Sequence, residues 1–382
     1  YGQKGANGVV LITTKRGKKG TVKVSYDGYY GQKEIQKTVK MADAYRYSYY
    51  NNIAKGSSTY FNLNSQPYNT NWLEEITQTG EVMNNSVSIS SASETGNYYF
   101  GVSHYKEDGI LKGMQYKRTN ILNKSEFNLA GDWLKVRNFI NLSLANKVNK
   151  PVSAFTAAYK QSPIMPVQYG NGRWGVPLLN LATGMNDLNG TEYVRYNNVG
   201  NPVAQLANTN EQSRYATLSG SVAIDMKLYK DLVLTSNFGA TADWTREFIY
   251  TPLADIWLTN NIFYNNHLST MTDYEDSFGD KPVRYNKLEQ KRSNFYNWNW
   301  DNYLTYKKEF GKHGVTLVAG ASRTTTDNYE YLNAMRFNVP EKQTYWYLDY
   351  STYNFQTNVY PDQIRNEANT ELVSLAYFGR AE

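Results

Sequence analysis

The stretch Ala216-Thr217-Leu218-Ser219-Gly220-Ser221-Val222-Ala223-Ile224-Asp225-Met226-Lys227-Leu228 alternates with a period of two. Ala216, Leu218, Val222, Ile224, Met226 and Leu228 fall on one face, and Thr217, Ser219, Ser221, Asp225 and Lys227 on the other. Successive side chains of a strand point to opposite sides, so this is a β-strand with one apolar face. The chain turns at Tyr229–Asp231 and the pattern resumes, with Leu232, Leu234, Phe238, Ala240, Ala242 and Trp244 against Thr235, Asn237, Thr241, Asp243 and Glu247. Two such strands joined by so short a turn read as an antiparallel hairpin.

The same alternation extends outward in both directions. Val22, Val24, Tyr26 and Tyr30 oppose Lys23, Ser25, Asp27 and Tyr29; Val87 and Ile89 oppose Ser86, Ser88 and Ser90; Tyr98, Phe100 and Val102 oppose Tyr99, Gly101 and Ser103. Leu134, Val136, Ile140, Leu142 and Leu144 oppose Lys135, Arg137, Asn141 and Ser143. Further on, Tyr296, Trp298, Trp300, Leu304 and Tyr306 oppose Asn297, Asn299, Asp301 and Thr305, and Val315, Leu317, Ala319 and Ala321 oppose Thr316, Ser322 and Thr324. The pattern is weakest over Asn120–Ala130, where Asn123 and Ser125 share a side with Ile121, Phe127 and Leu129.

Connection lengths narrow the fold further. Tiny turns (Glu94–Gly96, Gly131–Trp133, Tyr229–Asp231, Gly311–His313) alternate without a break with longer connections (Lys33–Met83, Asp108–Arg118, Val148–Ser213, Tyr250–Gln290, Asn333–Asn369). Soluble sandwiches have no reason to do this, whereas membrane barrels pair short turns at one end with long loops at the other. Asp225, Lys227, Asp243, Glu247 and Asp301 lie on the polar face. In a dry core each unpaired charge costs several kcal/mol, in order of magnitude, and in a wet lumen little. The expected fold is therefore all-β: a transmembrane antiparallel barrel, partial, of about ten meander strands, apolar face outward and long loops at one end. Aromatics on the apolar face (Trp244, Phe248, Trp298, Trp300, Tyr377) fit an interfacial girdle, and the competing reading is an aromatic sandwich core.

Composition agrees. The 382 residues include 35 Tyr and no Cys, with mean hydropathy −0.64 and net charge +6. No run approaches the roughly 20 apolar residues of a membrane helix, while a barrel strand needs only about 9–11 with every second one apolar. Without cysteine there is neither a disulfide framework nor a thiolate site. The one basic cluster, Lys15-Arg16-Gly17-Lys18-Lys19, reads as a solvated connector, since no stacking platform accompanies it, and nucleic acid is not an expected partner. Tyr1 follows no secretory signal and Val373–Phe378 reads as a strand at the other end, as expected of an internal piece of a longer protein.

Little in the sequence suggests catalysis. His104, His267 and His313 sit in different elements without a carboxylate at ligand spacing, and no Gly-x-Ser-x-Gly or His-Glu-x-x-His motif occurs. The expectation is a protein that is not an enzyme and carries no cofactor. Asp273, Glu275, Asp276 and Asp280 form an oxygen-rich run able in principle to hold Ca²⁺; its spacing is not that of an EF-hand, and a solvated acidic loop is the simpler reading. Aromatics crowd the long loops. Tyr60, Trp72, Trp174, Tyr193, Trp257 and Tyr264 are candidate ligand-stacking residues, and packing of loop against loop is the alternative for each.

Several stretches resemble the SusC/RagA family of TonB-dependent transporters. Tyr1-Gly2-Gln3-Lys4-Gly5-Ala6-Asn7-Gly8-Val9-Val10-Leu11-Ile12-Thr13-Thr14-Lys15-Arg16-Gly17 is similar to the end of the family's plug domain, with Tyr1, Gly2, Gly5, Ala6, Asn7 and Gly8 carrying the motif. Lys23–Gly31 resembles its first barrel strand, and Asn71-Trp72-Leu73-Glu74-Glu75-Ile76 its Asp-Trp segment, with Asn in place of Asp. Ser86–Ser90, Tyr98–Tyr105 and Lys106–Gly113 resemble the strands and hairpin that follow; Asn201-Pro202-Val203-Ala204 and Tyr377-Phe378-Gly379-Arg380 resemble short landmarks. The resemblance implies plug residues over 1–20 and the N-terminal part of a roughly 22-stranded barrel over 21–382. It further implies import of a nutrient, an oligosaccharide first and a peptide second, across the bacterial outer membrane. The partners implied are the TonB-ExbB-ExbD complex, reached through a segment preceding this chain, a SusD-like surface lipoprotein as lid, and outer-membrane lipid. A siderophore receptor on the same barrel and a secreted carbohydrate-binding β-protein remain as alternatives.

Overall fold

Fourteen strands are seen among the described residues. They are β1 (Lys23–Lys33), β2 (Gly80–Ala92), β3 (Gly96–Asp108), β4 (Gln115–Leu129), β5 (Leu134–Asn149), β6 (Leu178–Asn180), β7 (Tyr193–Arg195), β8 (Asn210–Tyr229), β9 (Leu232–Thr251), β10 (Lys287–Phe310), β11 (His313–Thr326), β12 (Asn328–Phe337), β13 (Gln363–Ala368) and β14 (Leu372–Ala381). The structure, a computed structural model, describes residues 20–131, 133–252, 286–311, 313–326, 328–340, 342–351, 363–369 and 371–382. The opening motif, Trp257, Tyr264, His267 and the acidic run Asp273, Glu275, Asp276 and Asp280 lie outside them.

One sheet takes up all but β6 and β7, which pair with each other. Its order is β1-β2-β3-β4-β5-β8-β9-β10-β11-β14, antiparallel throughout. β10 pairs with β11 over its second half and with β12 over its first, and β13 pairs with β12 as β14 does with β11. The last two strand positions are thus each built of two segments, and the meander has ten positions in all, as expected. Such a meander puts β2–β3, β4–β5, β8–β9 and β10–β11, the short turns, at one end, and the long connections at the other. Left-handed glycines serve two of the short turns, Gly131 (φ 63) and Gly311 (φ 62), where a side chain would strain the backbone. This is a partial antiparallel barrel.

Register assigns the faces. Directly opposed residues share a side of the sheet. Ladder pairs therefore place Leu218, Val222, Ile224, Leu234, Trp298 and Leu317 on one side, and Ser219, Asp225, Thr241, Asp243 and Asn299 on the other. Leu218, Val222 and Leu317 remain 40–45% exposed, whereas Ala145, Ser213, Ala223 and Thr235 on the polar side are buried. Side chains converge on the inside of a curved sheet, so crowding of small residues marks the polar side as inner.

The inner face pairs several of its charges. Arg137 pairs with Asp225 at 2.8 Å, Lys135 with Glu126 at 3.2 Å and Lys291 with Glu289 at 3.5 Å. Thr217 donates to Asp243 at 2.6 Å, Thr235 to Asp225 at 2.8 Å, and Asn299 to Asp301 at 2.9 Å. The outer face departs from apolarity at Arg323, opposite Trp300 and 5.4 Å over the Trp298 ring, and again where the sequence pattern is weakest. There Ser125 donates to Asn138, which donates to Asn123 at 3.3 Å, so these polar groups satisfy one another where lipid offers no partner. Among the outer aromatics, Trp244 and Phe248 lie toward the loop end, and Tyr229 and Phe310 mark the short-turn end. Trp298 and Trp300, expected in a girdle, instead fall mid-strand between Leu304 and Trp244.

Among the described residues no buried core lies between two sheets. The four buried apolar clusters among the described residues all sit at the loop end, which rules out the sandwich core. No described helix is long and apolar enough to cross a membrane, a criterion that does not bear on strands.

Candidate functional site

The long connections fold into a cap over the loop end. Between β1 and β2 lie helices α1 (Ala44–Ala54) and α2 (Trp72–Ile76); between β5 and β8 lie α3 (Ser153–Lys160) and α4 (Pro202–Asn208), with the β6–β7 hairpin between them. Asp43 caps α1, accepting from Arg46 N at 2.8 Å. The helix turns Ala44, Ser48 and Asn52 inward, a stripe of small residues at four-residue spacing. Asn201 caps α4 by accepting from Val203 N and Ala204 N at 3.0 and 3.1 Å, with Pro202 opening the helix, where its missing N–H costs nothing. Lys150 closes the other end, donating to the carbonyls of Leu206 at 2.8 Å and Thr209 at 2.6 Å; partial burial holds its pKa below the ordinary lysine value.

One apolar cluster joins three connections: Trp72, Leu73 and Ile76 from α2, Leu111 from the β3–β4 turn, and Ala154, Ala158, Met165 and Leu206 from the β5–β8 loop. Trp72 is 3% exposed and its indole N–H donates to Ser162 O at 2.8 Å. Tyr60 packs edge-on to Phe61 under the ammonium of Lys55, 4.3 Å from its ring centre. Trp174 packs against Tyr169 and Val176, and the Tyr193 hydroxyl accepts from Gly190 N at 2.8 Å. The four described candidates are therefore dispersed through the packing of the cap and are not gathered at one surface; Trp72 in particular offers no face to a ligand while the loops stay closed.

Asparagine amides tie the cap's loops to one another. Asn52 spans Phe61, accepting from its N–H at 2.7 Å and donating to its carbonyl at 2.9 Å. Asn186 donates to Val176 O at 2.7 Å and to the Tyr196 hydroxyl at 2.8 Å, and Asn201 donates to Val167 O at 2.8 Å. A loop has no ladder to satisfy its backbone, and a buried amide with both donor and acceptor supplies the missing partners.

An open cleft of about 780 Å³ adjoins this core. Residues 34–43 line one side and 69–79 the other; the second contains the Asn71–Ile76 segment noted in the sequence, and the first carried no signal there. Much of its polar lining is already engaged: Thr70 donates to Met165 O at 2.7 Å, Gln78 to Gly109 O at 3.0 Å, and Thr79 to Glu34 at 3.3 Å. Asn71 precedes α2 but makes no side-chain cap bond, which leaves its amide facing the cleft's solvent beside Glu74. Hydroxyl, amide and carboxylate groups share the lining with apolar side chains, among them Ile35, Val39, Met41 and Leu73, a mixture that suits a ligand with both hydrogen-bonding groups and apolar faces. No group of three or more His, Cys, Asp or Glu among the described residues is placed to hold a metal.

No family model matches the chain. TonB-dependent receptor P3 of Formosa agariphila is 23% identical over 394 residues, covering 100% of this chain and 34% of its own length. TonB-dependent receptor SusC of Bacteroides thetaiotaomicron is 25% identical over 334 residues, covering 84% of this chain and 30% of its own. The barrel of the RagAB peptide transporter superposes with a TM-score of 0.68 at 17% identity, over 100% of this chain and 42% of that one. The chain is similar to TonB-dependent receptors of the SusC kind and shares the RagAB fold. It spans about a third of the length of the curated TonB-dependent receptors it matches.

The cap's tyrosines give a pH test. Burial raises the Tyr47 phenol from 10.0 to about 12, and burial likewise raises Tyr169 and Tyr196. A phenol whose folded pKa exceeds its unfolded one stabilises fully below the unfolded value, and that contribution is lost as pH climbs through the folded value. The cap is expected to hold at pH 9 and to loosen between about pH 10 and 12, while the ladder persists. Tyrosinate absorbance should show a late-titrating fraction that coincides with loss of protease resistance in residues 34–79 and 150–209. A single early tyrosine transition with an unchanged cap would contradict this.

Proposed function

We propose that residues 1–20 are the end of a plug domain and 21–382 the first part of the barrel of an outer-membrane importer. It takes up a nutrient with energy from the TonB-ExbB-ExbD complex and is not itself an enzyme. The observation that carries the reading is the stitched cap: connections of this size add nothing to the ladder, and elaborate loops held on a rigid scaffold are where binding resides. An oligosaccharide is the leading substrate class, because the open cleft is lined by Thr, Asn, Gln and carboxylates suited to hydroxyls. A peptide is the second, favoured by the fold shared with the RagAB peptide importer. Tyr60, Trp174, Tyr193, Trp257 and Tyr264 stay candidates for ligand contact once the cap opens, and a SusD-like lipoprotein is the proposed lid. Calcium in the run Asp273–Asp280 is a secondary candidate.

The full-length receptor decides between the classes. A deletion strain should lose growth on one polymeric glycan as carbon source and keep growth on peptides; loss on peptides alone would reverse the order of the two classes. Loss only under iron limitation would replace both with the siderophore reading. Recovery of the full-length protein from the soluble fraction would remove the importer altogether.

A further inference from the structure

One ladder row on the outer face is cationic. Lys106, Lys117, Asn146, Arg214, Arg246 and Arg292 are opposed in turn across β3, β4, β5, β8, β9 and β10. Lys and Arg make up 40 of the 382 residues, about one in ten, yet hold five of these six places, so composition does not account for the row. Arg214, Arg246 and Arg292 are all exposed. Arg246 has an arginine directly opposite on each side. Like charges so placed repel, and sheets ordinarily avoid them.

Several inner-face cations are relieved by carboxylates, as at Arg137–Asp225 and Lys291–Glu289, and those that are not face a wet lumen. The outer row differs. Lys106 has Asp108 at 2.8 Å, but no described carboxylate makes an ion pair with Arg214, Arg246 or Arg292. Arg214 lies over the Phe248 ring at 5.9 Å, a contact that leaves its charge uncompensated. The row therefore calls for an external anion.

Its height says which one. Leu304, Leu234, Met226 and Leu134 form the lowest fully apolar row above the short-turn end. Arg292 lies twelve residues above Leu304 along β10. At roughly 3.4 Å per residue and a tilt of about 40°, that is about 31 Å along the membrane normal. A barrel's apolar band is about 25 Å tall, so Arg292 stands about 6 Å beyond it, and because a ladder row is inclined by the strand tilt, Arg246 and Arg214 differ from it in height by about 3 and 6 Å. They stand on the side of the long loops, at the level of lipid headgroups. Trp244 lies one step below, where an interfacial aromatic belongs.

We propose that this row is a docking belt for the phosphate groups of glycolipids in the outer leaflet, with Arg214, Arg246 and Arg292 as its centre. Guanidinium forks bind phosphate through paired N–H donors, which makes arginine better suited to the task than lysine. The proposal rests on the outer-membrane reading above. The belt would fix the barrel's depth and hold the cap at a constant distance from the headgroups.

The test uses the full-length receptor refolded into phosphatidylcholine vesicles with and without lipid A. Insertion of the unaltered receptor into phosphatidylcholine examines the barrel itself; its failure would count against the barrel reading and leave the belt out of account. Lipid A should raise the melting temperature of the inserted receptor, and the rise should shrink as salt increases. Arg214→Gln/Arg246→Gln/Arg292→Gln should keep its melting point in phosphatidylcholine but lose at least half of the lipid A increment. Its affinity for lipid A should fall by roughly tenfold or more, since each cation near an anionic surface contributes about fivefold. If the triple variant inserts poorly, Arg246→Gln alone should show a smaller loss in the same direction. Arg118→Gln, on the inner face, should leave the increment unchanged. An equal increment in receptor and triple variant, or no salt dependence in the unaltered receptor, overturns the proposal.

Discussion

Val222→Arg in the full-length receptor is expected to cut the folded, surface-labelled population by more than about tenfold, and Ser219→Arg to leave it nearly unchanged. Val222 is an outer-face residue between Phe238 on β9 and Asn138 on β5. It lies four residues above Met226, about 10 Å above the lowest apolar row and so near the middle of the band. A cation on the lipid side at that depth costs about 2–4 kcal/mol. Its ladder neighbours, Phe238 and Asn138, are both uncharged, and the Asn138 amide is already engaged with Ser125 and Asn123. Ser219 is on the other side of the same strand, opposite Asn141 and Thr241, where an added cation meets the wet, polar lumen. The pair separates a barrel from a sandwich, because in a sandwich neither face of β8 would be lumen. Resistance to unfolding by urea after refolding into vesicles gives the measurement. Equal loss for both variants, or loss for Ser219→Arg alone, would invert the face assignment and with it the fold.

The reason this fold was legible is that a barrel writes its faces one residue at a time. Leu218 and Ser219 are adjacent in the chain and opposite in space, so period two carries both the strand and its orientation. The register could be read even across the β8–β9 turn, although the bulge at Lys227/Tyr229, which brings Tyr229 opposite Leu232, leaves no mark in the alternation. The cap was much less legible. α1 buries Ala44, Ser48 and Asn52, two of them polar, so an apolar-period scan passes over it. Its four tyrosines, Tyr45, Tyr47, Tyr49 and Tyr50, suggest ligand contact as readily as they suggest packing. Trp72 was selected for its ring and proved to be a loop-core residue, because burial of a loop aromatic depends on segments about ninety residues away in the chain. The landmark Asn201-Pro202 had a physical signature that could have been used, since Asn before Pro at the head of a short apolar run is an N-cap. The cationic row was invisible for a different reason: its members are far apart in sequence and become neighbours only through register.

Deleting the β5–β8 connection is expected to leave barrel insertion intact and to abolish uptake. The ladder between these strands closes at Asn149 and Glu211, so residues 150–209 can be exchanged for a short Gly-Asn turn without touching a residue of the barrel ladder. This is a tighter deletion than the alternation alone suggested, because Val148 and Ser213 are themselves in the ladder. The effect should reach past the deleted loop. Ser162 O accepts the Trp72 indole, Pro163 O accepts from Thr70 N at 2.8 Å, and Gly184 O accepts from Asn62 N at 2.8 Å. Removing these partners exposes Trp72, Leu73, Ile76 and Phe61, now at most 6% exposed, and the β1–β2 connection loses the packing that shapes the cleft. Trp72→Ala provides a milder form of the same lesion: truncating so buried a ring costs about 3–5 kcal/mol, enough to open the cap while every strand remains paired. Surface labelling should be normal for both variants, with uptake reduced at least roughly tenfold for the deletion and partially for Trp72→Ala, in proportion to the protease sensitivity of residues 34–79. Normal uptake in the deletion would mean that the cap holds no part of the substrate path. Normal uptake in Trp72→Ala with a protease-sensitive cap would mean that the cap's closed packing is not the state that binds.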